Sequence, residues 1–286
     1  WNWTQMIGGN FQPLDIIIPV GISFYTFQSI SYIVDVYKER VAPTKTWLEY
    51  LFFLSFFPAL VAGPIVRADY FLPQISQNKK ATRDEVYLGF WMIILGIVKK
   101  AIIADYISQY NDLIFSNPTG YTGFESLMGV IGYTMQIYCD FSGYSDMAIG
   151  LGRIFGFKFL ENFNYPFISK SISEFWRRWH MSLGSWFRDY VYFPLGGSRV
   201  KKSRIVFNLF VVWFLTGFWH GAAWNFVLWG LFFLVFLTLE KLFLKDFLKE
   251  HKVIGHIYTL FLVTVSFMIF SNMMLKFLLL LVCYMK

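Results

Sequence analysis

Long apolar runs alternate along the chain with short segments that hold most of its charge. A membrane span needs about 20 mostly apolar residues to cross ~30 Å of hydrocarbon, and the pattern predicts several. The first is residues 14–34, with Pro19 and Gly21 marking a kink and Asp35, Lys38, Glu39 and Arg40 closing it on an aqueous side. Residues 48–62 are shorter and stop at Gly63-Pro64, which predicts a short or re-entrant segment followed by a loop with Asp69, Lys79, Lys80 and Arg83. Residues 86–107 predict another span, in which Lys99 and Lys100 run their stems out to the interface. A loop over 108–124 leads to a helical run from Glu125 to Ile149, interrupted near CDFSGYS at 139–145. Further on, 205–219 and 223–239 are each short for a full crossing, and Glu240, Lys241, Lys245, Lys249 and Lys252 mark an aqueous boundary. The last run, 257–285, is long enough to span with tilt.

Residues 153–204 depart from this pattern. Between positions 170 and 204, eight lysines and arginines stand against only Glu174 and Asp189, nearly the whole excess of a chain whose net charge is +7. That density predicts a cytoplasmic face, and Trp176, Trp179, Trp186, Phe187, Tyr190 and Tyr192 suit rings at headgroup depth. Short amphipathic or re-entrant helices are expected here, with Ser173 as an N-cap before EFWRRWHMSL and a turn at Pro194-Leu195-Gly196-Gly197. With 56% hydrophobic and 22% aromatic residues and 15% charge in 286 residues, the chain is too apolar for a soluble domain, and the fold class is all-α and polytopic. The positive charge is then assigned to topology, and no nucleic-acid partner is expected. Cys139 and Cys283 are far apart in apolar surroundings and are read as packing residues. The chain opens Trp1-Asn2-Trp3 with no initiator methionine or leader, so it is expected to be cut from a longer one.

One residue needs a reason of its own. His220 lies inside GFWHGAAWNFVLWG (217–230), and a charge at membrane depth costs roughly 2.5 kcal/mol or more. It is therefore a functional group facing a protein-lined or wet cavity, or else a neutral histidine hydrogen-bonded in a helix interface for stability alone. Gly217 and Gly221, four apart, are expected to share one helix face and admit a neighbouring backbone. His180, in FWRRWH, sits nearer the basic face, while His251 and His256 flank an aqueous boundary and are expected to be solvated. No metal is expected, because neither His180 nor His220 has a second ligand at i+3 or i+4. Asp140 and Asp146 could contact an acceptor or pair with arginines nearby. What remains is an imidazole base close to a basic surface able to bind an anionic substrate.

Four stretches, GPIVRADYFLPQI (63–75), QIYCDFSGYSDMAIGLGRIFGFKFLENFNYPF (136–167), EFWRRWHMSLGSWFRDYVYFPLGG (174–197) and GFWHGAAWNFVLWG, closely resemble the membrane-bound O-acyltransferase (MBOAT) family, in its bacterial alginate O-acetylation (AlgI-like) branch. The resemblance runs in order over about residues 20–240. It implies a single transmembrane domain over 1–286, short of the family's N-terminal helices and open to loss at its C-terminus, arranged as a helical bundle with re-entrant and interfacial helices around a central funnel. His220 matches the histidine held to be catalytic, and His180 the second histidine of bacterial members. Arg177, Arg178 and Trp179, with Asp189 and Tyr190, match elements on the donor side, as donor-binding or supporting residues. Asp140 and Asp146 stay candidates for the acceptor side. The resemblance implies transfer of acetyl from a cytoplasmic thioester, acetyl-CoA or another acyl thioester, to hydroxyls of an extracytoplasmic polysaccharide or peptidoglycan. It also implies no bound cofactor, an extracytoplasmic transferase partner, and location in a bacterial inner or plasma membrane. The arginine-bearing aromatic stretch usual near the family's last spans is replaced by FMIFSNMMLKF (267–277). D-alanyl transfer to teichoic acid is the alternative within the same chemistry, and a transporter or channel lined by His220 the alternative outside it.

Overall fold

The computed structural model describes residues 21–61, 63–77, 80–117, 120–221 and 223–271, and these residues form helices and connecting turns without a strand. In chain order the helices are α1 (Ile22–Tyr37), α2 (Trp47–Ser55), α3 (Phe57–Leu60), α4 (Ala68–Ser76), α5 (Arg83–Ser116), α6 (Gly123–Ile154), α7 (Ile172–Phe175), α8 (Met181–Phe187), α9 (Lys202–His220), α10 (Trp224–Glu250) and α11 (Lys252–Phe270). The backbone widens to a π-helix at Val98–Ala104 within α5, at Arg188–Tyr192 after α8, and at Glu240–Leu244 within α10. Three helices, α5 with 34 residues, α10 with 27 and α11 with 19, are long and apolar enough to cross a membrane.

The pairing of α5 with α6 shows how lipid-immersed helices hold together without a hydrophobic driving force between them. Threonine–glutamate capping boxes, Thr82 with Glu85 and Thr122 with Glu125, satisfy the free N–H groups at both helix starts. Along the seam, Gly89 faces Gly150 and Gly96 faces Gly143, so the helices run antiparallel. A Cβ on Gly96 would lie 2.5 Å from the Gly143 carbonyl oxygen, and one on Gly150 equally near the Gly89 oxygen. Small residues thus bring the two backbones into direct dispersion contact. The outer face of α5, with Phe90, Trp91, Ile94 and Leu95 exposed, is apolar as lipid requires.

Several boundaries differ from the sequence pattern for reasons the packing supplies. The helix expected to break at 139–145 is continuous for 32 residues, because Ser142, Gly143 and Ser145 are buried as small seam residues. The loop expected from 108 starts only after Ser116, since Asn111 is buried in α5 and meets the Gln136 amide of α6 at 2.7 Å. The polar stretch after Gly63-Pro64 contains α4, whose Phe71 packs with Phe53, Phe56 and Phe159 in an aromatic cluster. Glu240, placed at an aqueous boundary, is 3% exposed: its carboxylate accepts from the backbone N–H of Ile172 at 2.5 Å and Ser173 at 2.9 Å, capping α7 from outside. The side-chain N-cap of that helix is Ser171, accepting from the Glu174 N–H at 3.0 Å, and not Ser173. Gly21 adopts a left-handed φ of 77° at the start of α1, while Pro19, Cys283 and residues 272–286 lie outside the described residues.

Candidate active site

His220 is the last residue of α9, and the chain turns at once into α10. The hairpin closes on Gly217 and Gly230: a Cβ on Gly217 would lie 2.5 Å from the Phe226 carbonyl oxygen, and one on Gly230 would overlap the Trp213 carbonyl. Gly221, expected on the same face as Gly217, lies past the helix end in extended backbone, and the Phe226 ring occupies the space its Cβ would need. The His220 imidazole is ringed by Trp219 at 4.6 Å, Trp229 at 5.0 Å and Phe270 at 5.2 Å between centroids. No described residue hydrogen-bonds it. The indole N–H groups of Trp219 and Trp229 are buried and likewise unpartnered among the described residues.

His180 is held quite differently. It is 3% exposed, has a left-handed φ of 46°, and starts α8. Non-glycine residues adopt that conformation only where their surroundings impose it. Its Nδ1 is 3.1 Å from Asn162 Oδ1, an oxygen that also accepts from the Ser182 N–H at 3.2 Å and the Ser182 hydroxyl at 2.9 Å. The backbone N–H of Ser182 can only donate, so that atom is an acceptor, and Nδ1 must carry the proton. The neutral imidazole therefore presents a bare Nε2 lone pair. Phe141 meets the ring edge-on at 4.7 Å, and Trp219 stands between the two histidines, 6.5 Å from His180.

The other sequence candidates divide between wall and support. Trp179 is 4% exposed and stacks on Phe175 at 5.4 Å, so it belongs to the core. Arg178 is committed to Glu174 at 3.0 Å and to the Asn164 carbonyl. In this segment between spans, burial raises the Glu174 pKa, but the Lys170 N–H and Arg178 outweigh it and hold the carboxyl below its ordinary range. Asp189 pairs with Arg67 at 2.6 Å and Arg188 at 2.7 Å, and these two cations overcome burial to hold its carboxyl low. Tyr190 donates to Asp35 of α1, and burial followed by that carboxylate pushes its phenol pKa up. Asp140 and Asp146 meet lysines and not arginines: Lys100 at 2.5 Å and Lys99 at 2.6 Å, both from the π-helical turn of α5. These are the lysines expected to reach out to the interface; they turn inward to α6 instead. His251 is exposed, whereas His256 is half-buried with Nδ1 3.1 Å from the Ser169 carbonyl.

Arg177 alone of the arginine pair lines a cavity. It has a volume of about 390 Å³ and is lined by exposed Arg177, Arg188 and Lys241 together with buried Leu183, Trp213 and Thr216. Thr216 lies four residues before His220 on α9, so this part of the lining shares a helix face with the imidazole. Trp176 also lines the cavity, with a buried N–H that has no partner among the described residues. Sequence reasoning did not single out Asn162 or Arg67, placed Lys241 only at an aqueous boundary, and put Asp35 on an aqueous side, whereas the structure buries it to 3% exposure as the acceptor of Tyr190. Asn162 and Arg67 fall within quoted motifs, but their roles depend on partners far along the chain.

These features define a helical membrane protein with one buried and one half-buried histidine near a cavity lined by basic and apolar side chains. The chain belongs to the membrane-bound O-acyltransferase (MBOAT) family, whose model matches residues 44–284. It is 43% identical over 258 residues to the probable alginate O-acetylase AlgI of Azotobacter vinelandii, covering 89% of this chain and 51% of that one. It is 37% identical to the peptidoglycan O-acetyltransferase of Helicobacter pylori, over 87% of this chain and 52% of the relative. With the teichoic acid D-alanyltransferase of Bacillus subtilis it shares 34% identity, over 86% and 64%. The chain thus spans about half the length of the first of these relatives.

Proposed function

We propose that this chain carries the catalytic core of an O-acetyltransferase that moves an acetyl group from a cytoplasmic thioester, acetyl-CoA or a related donor, to hydroxyls of an extracytoplasmic polysaccharide or peptidoglycan, with His220 as general base. The observation that carries it is the packing against one imidazole of two indoles, Trp219 and Trp229, whose buried N–H groups have no partner among the described residues. Buried donors without partners call for a ligand acceptor. His220 takes the hydroxyl proton as oxygen bonds to the thioester carbonyl carbon, and the indoles supply hydrogen bonds to the oxyanion that forms. On collapse the carbon–sulfur bond breaks, and the imidazolium returns the proton to the departing sulfur. Arg177, Arg188 and Lys241 attract the donor's anionic end, and the apolar floor past Leu183 and Trp213 receives its thioester arm. His180, locked by Asn162, offers Nε2 as a fixed acceptor beside Trp219. Asp189 and Tyr190 hold the donor-side π-helical turn in place, and Asp140 and Asp146 act through Lys99 and Lys100. Where the hydroxyl that meets His220 is not the final sugar's, an extracytoplasmic transferase partner completes the transfer to polysaccharide.

Acetyl incorporation from labelled acetyl-CoA into membranes bearing the full-length protein tests this. His220→Ala is expected to lower turnover by roughly 10²- to 10⁴-fold with insertion unchanged. Unchanged incorporation would return His220 to a packing role. If only an acyl carrier supports transfer, the teichoic acid D-alanyltransferase comparison gives the better donor.

A further inference from the structure

A second cavity, of about 540 Å³, adjoins the first and shares Arg177 and Lys241 with it. It lies between the segment around α7 and the far end of α10, and its cations are Lys170, Arg177, Lys241, Lys245, Lys249 and Lys252. Two carboxylates line it, and both are committed elsewhere: Glu174 to Arg178, and Glu240 to the start of α7. None of Lys170, Arg177, Lys245, Lys249 and Lys252 is ion-paired among the described residues. Uncompensated cations gathered around one cavity attract a polyvalent anion. The helix ends that carry Lys245, Lys249 and Lys252 add a second requirement, because on them Phe243 is 73% exposed, Val253 74%, Ile254 49% and Phe247 45%. A small soluble phosphate would leave these side chains uncovered. A phospholipid would cover them with its acyl chains while its phosphate met the lysines.

We propose that this groove binds the headgroup of an anionic phospholipid, the phosphate between Lys245, Lys249 and Lys252 and the acyl chains against Phe243, Phe247 and Val253. Basic clusters at the aqueous end of an apolar helix recognise anionic lipid in this way. The site does not depend on the acyl-transfer reading, but through Arg177 and Lys241 it places lipid beside the donor cavity.

The test is native mass spectrometry of the full-length protein in neutral detergent, offered equal amounts of phosphatidylglycerol and phosphatidylcholine. Wild type is expected to retain phosphatidylglycerol in at least about tenfold preference. The triple variant K245Q/K249Q/K252Q is expected to lose that preference while keeping its thermal melt, and raised salt is expected to erode it in wild type. Equal retention of the two lipids, or a preference untouched by the triple variant and by salt, would overturn the proposal. Displacement of the bound lipid by millimolar pyrophosphate would also overturn it, assigning the groove to a soluble phosphate ligand.

Discussion

The helix pairs α5/α6 and α9/α10 are both packed on glycines that let backbones touch, yet they finish their seams in opposite ways. Beyond its glycines, α5/α6 carries Lys99–Asp146 and Lys100–Asp140 ion pairs, so the charged groups there are matched within the protein. At the end of α9/α10 are an imidazole without a hydrogen-bond partner among the described residues and two indole N–H groups left open. The first seam matches its charges within the protein; the second leaves two N–H donors open among the described residues. Glycine packing is the shared means of assembly, and the difference in polar satisfaction is what marks the α9/α10 end as the candidate site.

The glycine contacts give the largest expected effects. Gly96→Leu and Gly217→Leu each press a side chain into backbone that has no room to move, at a cost of about 3 kcal/mol or more. Both variants are expected to fail a detergent thermal-melt comparison, whereas Gly123→Ala, which meets nothing within 4 Å, is expected to match or slightly exceed wild type. Asp146→Leu strands Lys99 and is expected to cost on the order of 1–3 kcal/mol, with most of it recovered when Lys99→Met is added. An equally large loss in the double variant would show that the α5/α6 seam needs its charges as such. Asn162→Leu removes the shared acceptor of His180 and Ser182, for about 1–2 kcal/mol of stability. If the fixed tautomer serves turnover, its rate falls by more than the matched loss in a Ser145→Ala control, which frees only the Asn162 amide nitrogen.

The smallest effect concerns acid. The folded pKa of Asp189 is depressed, so its contribution is present above the unfolded carboxylate value of about 3.9 and is lost as pH falls through the lower folded value. The melting gap between wild type and Asp189→Asn is therefore expected at neutral pH and should close below about pH 4. A gap that persists in acid would mean that Asp189 acts by shape and not by charge.

Much of the membrane architecture was legible because it depends on local composition. The apolar run after Arg83, the aromatic and basic segment at 170–204 with its short helices, and the break at His220 all follow from residues close in sequence. What was not legible depends on distant partners. CDFSGYS reads as an interruption until Gly96 is opposite Gly143, and Lys99 reads as interfacial until a π-helical turn aims it at Asp146. Glu240 looks solvated until the start of α7, 68 residues earlier, needs an acceptor. At the site, His220 stood out by its surroundings, whereas the lock on His180 required Asn162, whose role no spacing rule announces.

The bond from Tyr190 to Asp35 joins residues 155 positions apart, and this separation is also a delay. At roughly 5–20 residues per second, the ribosome delivers Tyr190 about 8–30 s after Asp35. Through that interval the carboxylate of the first described helix has, among the described residues, Arg40 as its ion-pair partner, five residues on and 3.4 Å away in the finished fold. The π-helical turn at Arg188–Tyr192 is thus fastened to a group made long before it, and the early helix waits for the late one before its carboxylate has its full set of partners.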